Sequence, residues 1–293
     1  MNDIPRRNID ELIARYKLEP ELKDLYVEGN FDMKLFRRLT RELDLNICVY
    51  TIDTVECSAS SLVENGLTDN TRSRVVFVAQ MLTKTLGHDH AAVRLVADKD
   101  FDSILGKPCN RGLLLMTDCT SLEAYFFDEI KNEFFFLDSF GLSISASKLH
   151  NSMLAVLHKL FLARAANFAL GWGMQWLEPD KCIRVCRGDE IICFNYHEFE
   201  RRYLSKNSRL HDQPVFQQKI LEIEPRANGE VRGHDVFELL AVWLKKQNVD
   251  SHFCDPEVLK TLLLVQTHTQ KIIGYSLFQS ILSWCGYHQI KAV

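Results

Sequence analysis

The chain has 293 residues, 46% of them hydrophobic and 25% charged, with a formal net charge of -4. At about 150 residues per domain the length points to two domains, and the composition excludes intrinsic disorder and collagen-like repeats. A nucleic-acid coat protein would be strongly basic, so any contact with nucleic acid has to run through a local patch or through bound cations.

The first residues, MNDIPRRNIDELIARYK, are charged and amphipathic and lack the apolar centre of a signal peptide. No run approaches the roughly 20 apolar residues that span a bilayer, so no membrane contact and a cytoplasmic location are expected. Nine cysteines are scattered without a CxxC. Cys182 and Cys186 could be half a zinc site, but no second close pair follows, and reduced thiols are expected.

Residues 9–19 read as an amphipathic helix, and 24–27 as a short apolar strand running into Glu28-Gly29. Residues 31–43 place Met33, Leu35, Phe36, Leu39 and Leu43 at mostly helical spacing. A second strand, 47–52, ends at Asp53, and 58–70 reads as loop. A helix over 74–86 stops at Gly87. Two further strands follow, 92–97 running into Asp98-Lys99-Asp100-Phe101-Asp102, and 112–116 running into Thr117-Asp118. Strands written as continuous apolar runs and alternating with helices argue for an α/β fold with a mostly parallel sheet covered on both faces.

Beyond about residue 145 the pattern turns mainly helical, with helices expected at 149–170, 198–204, 216–223, 234–247, 256–265 and 270–285. A hairpin is expected at 183–194 around Arg187-Gly188-Asp189. The expected division is a catalytic domain over 1–145 and a helical region over 146–293 for substrate, partner or dimer contacts. The apolar stretch from Ile272 to Trp284 suits either core or a dimer face, with core the better reading.

In parallel sheets ligands bind beyond the carboxyl ends of the strands, and here acids stand at those ends: Glu28, Asp53, Asp98 and Asp118. Three clusters result: Glu28 with Asp32, Asp98 with Asp100 and Asp102, and Asp118 with Glu123. Two carboxylates about 4 Å apart repel by about 4 kcal/mol at an effective dielectric of about 20. Converging acids therefore require protons or a divalent cation, and an all-oxygen set suits Mg2+ or Mn2+. An EF-hand starting at Asp98 fails, because Ser103 and Cys109 stand where Gly and Glu are needed. A phosphatase with Asp98 as nucleophile is disfavoured by Asp102. For any single acid, capping of a loop or helix is an equal reading, as for Asp32 beside a helix N-terminus.

Val27-Glu28-Gly29-x-x-Asp32 after one strand, with Asp98-x-Asp100 after a later one, resembles the Toprim domain over about residues 20–130. Asp32, four residues after Glu28, resembles the OLD-type nucleases. Thr117-Asp118, Ser121-Leu122-Glu123-Ala124-Tyr125 and Gly233-His234-Asp235 are similar to the Toprim effector subunits of PARIS anti-phage systems.

The resemblance implies a metal-dependent nuclease with Glu28, Asp98 and Asp100 catalytic. These three, with Asp32, Asp102 and Glu123, would hold one or two Mg2+ or Mn2+ ions. It further implies an antiviral defence effector acting on tRNA, other RNA or DNA. An ABC-type ATPase on a separate chain would restrain it, since this sequence has no P-loop. Non-catalytic scaffolding of an ATPase is the alternative. The family's lysine could be Lys99, Lys131 or Lys148, and a strand at 134–138 has no counterpart in the family. Arg187, Arg201 and Arg202, near Lys206 and Arg209 and the aromatic Tyr196, Phe199 and Tyr203, are the candidates for substrate phosphate and base contacts. A solvated helix face over buried aromatics is the stronger reading of the same residues. His234-Asp235 reads better as a helix cap than as a site pair.

Overall fold

A computed structural model of the chain describes residues 6–106, 112–132, 140–142, 144–186, 191–227 and 229–287. The described elements run in chain order as α1 (Ile9–Leu18), β1 (Asp24–Val27), α2 (Asn30–Glu42), β2 (Cys48–Thr51), α3 (Ala59–Glu64), α4 (Thr71–Leu86), β3 (Val93–Ala97) and β4 (Leu114–Met116). There follow α5 (Tyr125–Asn132), α6 (Ala146–Ala169), β5 (Ile183–Val185), β6 (Ile192–Phe194), α7 (Tyr196–Lys206) and α8 (Gln213–Ala227). The chain continues through α9 (Gly233–Lys246), α10 (Pro256–Gln266), α11 (Thr269–Ile272) and α12 (Ser276–Trp284). No described helix is long and apolar enough to cross a membrane.

Two compact units interleave along the sequence. The first comprises Met1–Lys99, Pro108–Asp118 and His268–Val293; the second comprises Asp100–Lys107 and Cys119–Thr267. The chain thus passes between units at several points instead of dividing once near residue 145, and its last helices belong to the first unit.

The first unit is an α/β layer built on a four-stranded, all-parallel sheet of order β2-β1-β3-β4. All four residues of β1 are buried, which is why its sequence is an unbroken apolar run after Asp24. Tyr26 joins a core with Leu12 and Tyr16 of α1, Val78 and Leu82 of α4, and Leu95 of β3. From α2, Phe36 meets Phe278 of α12 with ring centroids 5.5 Å apart. Trp284 donates from Nε1 to the Ala91 carbonyl, with the Lys23 ammonium 5.2 Å from its ring centroid. These contacts, with Leu277, Ile281 and Leu282 buried, make the C-terminal helix core rather than a dimer face. Each such buried side chain contributes about 1.5–3 kcal/mol.

At the amino end of the sheet polar groups are consumed internally. Asp24 is fully buried and pairs with Arg15 (Nε–Oδ2 3.3 Å). The Tyr16 hydroxyl lies 3.1 Å from Asp24 Oδ2 and 3.1 Å from the Tyr26 hydroxyl. Burial pushes the Asp24 carboxyl above its usual range, against the opposing pull of Arg15, and pushes the Tyr26 hydroxyl up to about 12. Glu28 and Asp98 stand at the opposite, carboxyl end.

The second unit is helical around α6, with a two-stranded antiparallel β5–β6 hairpin. Three expectations change. Residues 58–70 are not all loop: the Ser58 hydroxyl accepts the Ser61 N–H and starts α3. The helix expected over 270–285 is two, because Tyr275 is extended and acts as the N-cap of α12. The cysteines are not all thiols, since Cys186 and Cys193 form a disulfide across the hairpin. Its turn, Arg187-Gly188-Asp189, and the strand expected at 134–138 lie outside the described residues.

Candidate functional site at the carboxyl ends of the strands

The order β2-β1-β3-β4 means that the chain leaves β1 toward β2 on one side and later returns to β3 on the other. The crevice of such a sheet opens at this switch point, between the carboxyl ends of β1 and β3. Glu28 follows β1 and Asp98 follows β3. The two meet: Glu28 Oε1 accepts the backbone N–H of Asp98 at 2.7 Å. Around them, Arg72 of α4 donates from Nε to the Asp98 carbonyl at 2.7 Å. The Lys99 N–H donates to Thr117 Oγ1 at 2.9 Å, and the Lys99 ammonium to the Asp118 carbonyl at 2.6 Å. Lys99 therefore bridges the ends of β3 and β4.

The other acids of the first unit have defined uses. Asp32 is buried in the first turn of α2, and its Oδ2 accepts the Gly29 N–H at 3.0 Å. This is the capping role equally open to it from the sequence, and it fixes the Glu28-Gly29 corner. Asp53 faces Arg74 at 3.7 Å. Asp118 accepts the Leu277 N–H of α12 at 3.1 Å.

Asp100, Asp102 and Glu123 belong to the second unit. Asp100 has φ +47° and donates its N–H to the Thr120 carbonyl at 2.8 Å. Aspartate is among the few non-glycine residues that enter the left-handed region at modest cost, so the turn after β3 is compatible with this sequence. Asp102 is half-buried. Glu123 is buried and lies 3.3 Å from His234 Nδ1 and 3.7 Å from the Lys260 ammonium.

Lys260 also contacts Glu257 Oε1 at 2.8 Å and His234 Nδ1 at 3.3 Å. His234 Nδ1 thus faces both the Glu123 carboxylate and the Lys260 ammonium, and the tautomer decides which of the two it bonds. Burial, with Lys260 and Arg232 adding to it, holds the His234 pKa below its ordinary value, against Glu123. The N-cap position of α9 is Arg232, so His234 is not the cap, and Asp235 takes a bidentate pair from Arg164 at 2.8 and 2.9 Å. Lys260 was missed from sequence, although a lysine among Leu259, Leu263 and Leu264 on the buried face of α10 is a readable signal.

The His234 environment has a testable consequence. A histidine depressed in the fold binds its proton more readily when unfolded, so stability is complete above the unfolded pKa of about 6.5 and declines as pH falls below it. Urea unfolding at about pH 7.5 and pH 5 will show a larger acid-side loss for the parent chain than for His234→Gln.

Among the described residues of the basic cluster, the charges are mostly taken up by neighbouring groups. Phe199 and Tyr203 are fully buried. Arg201 forks onto Glu198 at 3.0 and 3.1 Å. Arg202 lies against Cys182, whose thiol burial pushes up and Arg202 pulls down. Lys206 donates to the Trp176 carbonyl, and Arg209 pairs with Asp212. This is the solvated helix face over buried aromatics; Arg187 lies outside the described residues, as does the side chain of Lys131, and Lys148 is exposed in the first turn of α6. A cavity of about 410 Å3 in the second unit is edged by Glu178, Asp180 and Glu238 over Leu160, Trp176 and Leu239. Its carboxylates would repel a phosphodiester.

Among the described residues, no three His, Cys, Asp or Glu side chains gather into a ready-made metal cage. Glu28 and Asp98 each bring a carboxylate to neighbouring strand ends, and Mg2+ is commonly held by one or two carboxylates together with water and substrate phosphate rather than by a complete protein cage. No protein-family model matches the chain, and no curated protein matches it.

Proposed function

We propose that the chain is a Toprim-like, metal-dependent nuclease that hydrolyses phosphodiester bonds at the Glu28–Asp98 edge. The observation that carries this reading is the hydrogen bond from the Asp98 N–H to Glu28 Oε1 at the switch point of an all-parallel sheet. A bound Mg2+ or Mn2+ would supply positive charge to a phosphoryl oxygen and acidify a water. Glu28 and Asp98 would be its first protein ligands, and Asp100, Asp102 and Glu123 are carried as further candidates by the resemblance.

The chain's own groups prepare the edge. Asp32 fixes the Gly29 corner and so aims Glu28 across to β3. Arg72 and the Thr117 hydroxyl fasten the backbone on either side of Asp98 and Lys99. Lys99 spends its charge beside the Asp118 carbonyl, where it offsets the local negative charge that two carboxylates create. Action as an antiviral defence effector, tRNA as substrate and restraint by an ABC-type ATPase rest on the resemblance of Thr117-Asp118, Ser121-Leu122-Glu123-Ala124-Tyr125 and Gly233-His234-Asp235.

The test is direct. Purified chain incubated with total tRNA and with plasmid DNA should cut one of them with Mg2+ or Mn2+ and neither in EDTA. Equal cutting in EDTA, or none with either metal, overturns the reading.

A further inference from the structure

We infer that the outer face of α2, carrying Lys34, Arg37, Arg38 and Arg41, is the surface on which the phosphate backbone of a nucleic acid lies; this rests on the nuclease reading of the adjoining Glu28–Asp98 edge.

The four cations follow the spacing i, i+3, i+4, i+7, so they form one stripe along the helix. The opposite stripe, Leu35, Phe36 and Leu39, is buried, which turns the cations outward. Lys34, Arg37 and Arg41 are exposed and Arg38 is half-buried.

An ordinary solvated helix face intersperses acids and bases that pair with one another. Here the helix carries just two acids, and both are engaged. Asp32 is buried and caps the Gly29 N–H. Glu42 takes Arg38 at 2.7 Å and also accepts the Thr269 hydroxyl. Arg37 reaches the Val49 carbonyl at 3.2 Å, which steadies the guanidinium without neutralising it. Between residues 34 and 41 the face is therefore of one sign, in a chain whose net charge is -4.

The geometry favours a linear polyanion. Seven residues of helix cover about 10 Å, close to three phosphates of a duplex strand at about 3.4 Å each along the axis. The helix begins at Asn30, directly after the Glu28-Gly29 corner, and its N-terminal dipole end adds positive potential there. A backbone lying on the stripe would lead toward the acids instead of away from them. The local basic patch that the overall charge demands thus lies in the first unit, on the helix that follows Glu28, rather than at Arg201 and Arg202.

Binding separates this inference from the nuclease reading. Fluorescence anisotropy of the full-length chain in EDTA would use a labelled DNA duplex of about 20 base pairs and an RNA of about 20 nucleotides, between about 50 and 200 mM salt. The comparison is with the double variant Lys34→Gln, Arg41→Gln, two exposed positions whose loss leaves the buried stripe intact. Each phosphate contact steepens the dependence of log K on log salt by about 0.9 for duplex and about 0.7 for single strands. The variant should flatten the slope by about 1.8 or about 1.4, on whichever polymer the parent binds, with an unchanged thermal melt. If the parent binds and the variant keeps the same slope, the α2 surface is wrong while the Glu28–Asp98 reading stands. If the parent binds neither polymer, the α2 surface is wrong, and the nuclease reading is decided by metal-dependent cleavage alone. Binding of anionic phospholipid vesicles through Lys34 and Arg41, with no nucleic-acid binding, also overturns the inference.

Discussion

Glu28→Gln will lower metal-dependent cleavage by about 100- to 1,000-fold while the chain stays folded. The two halves of this expectation come from different atoms. Glutamine keeps a carbonyl oxygen where Glu28 Oε1 now accepts the Asp98 N–H, so the β1–β3 corner retains its hydrogen bond. What is lost is charge assistance, and a neutral hydrogen bond is worth about 0.5–1.5 kcal/mol against about 1.5–3 for a charged one. At this chain length a loss of about 1 kcal/mol lowers the melting temperature by about 2–4 °C. On the nuclease reading, catalysis depends on the charge itself. Removing one preorganised electrostatic group from a site costs about 2.7–4 kcal/mol of transition-state stabilisation. Glu28→Ala is the less informative variant, because it also strips the Asp98 N–H of its acceptor. The check is cleavage rate and thermal melt on the same preparation. A Gln variant that cuts as fast as the parent removes Glu28 from the chemistry, and the proposed site with it.

The acids show what a sequence can and cannot reveal. β1 and β3 were legible because a strand buried on both faces must be written as a continuous apolar run, and whatever follows it stands at the carboxyl edge. Glu28 and Asp98 could therefore be named. Nothing local marked Asp53 and Asp118 as different, since their partners, Arg74 and the Leu277 N–H, are far away in sequence. The break between α11 and α12 was illegible for a related reason: apolar spacing continues through Ile273 and Leu277, so periodicity reads one helix where the backbone makes two. Conversely, the density of Arg201, Arg202, Lys206 and Arg209 drew attention to a face whose charges are mostly paired nearby. On α2 the apolar positions gave away the helix, and the cations between them went unread. Charge counts along a sequence do not distinguish a cation held by Glu198 from one left facing water.

Gly233→Ala will destabilise the chain by about 3 kcal/mol, although helix propensity alone argues for the opposite sign. Gly233 is the first residue of α9 and has no left-handed φ, so alanine suits its backbone and would ordinarily gain up to about 1 kcal/mol. Sterics oppose this. An alanine Cβ would collide with Ser121 Oγ and lie 2.7 Å from Glu123 Cβ and 2.8 Å from the Ala124 backbone nitrogen. A side-chain oxygen can rotate away, but a backbone nitrogen and a Cβ can separate only if α9 moves off the 121–124 turn. Overpacking of this kind costs about 1–3 kcal/mol, and here the displacement also disturbs the contact of His234 Nδ1 with Glu123 and Lys260. Urea unfolding of Gly233→Ala, alone and combined with Ser121→Ala, decides between the two forces. Removal of the Ser121 hydroxyl should restore only part of the loss, because the Glu123 and Ala124 contacts persist. A single alanine variant more stable than the parent would mean that propensity prevails and that the close approach of α9 to the Glu123 turn is not what holds His234 in place.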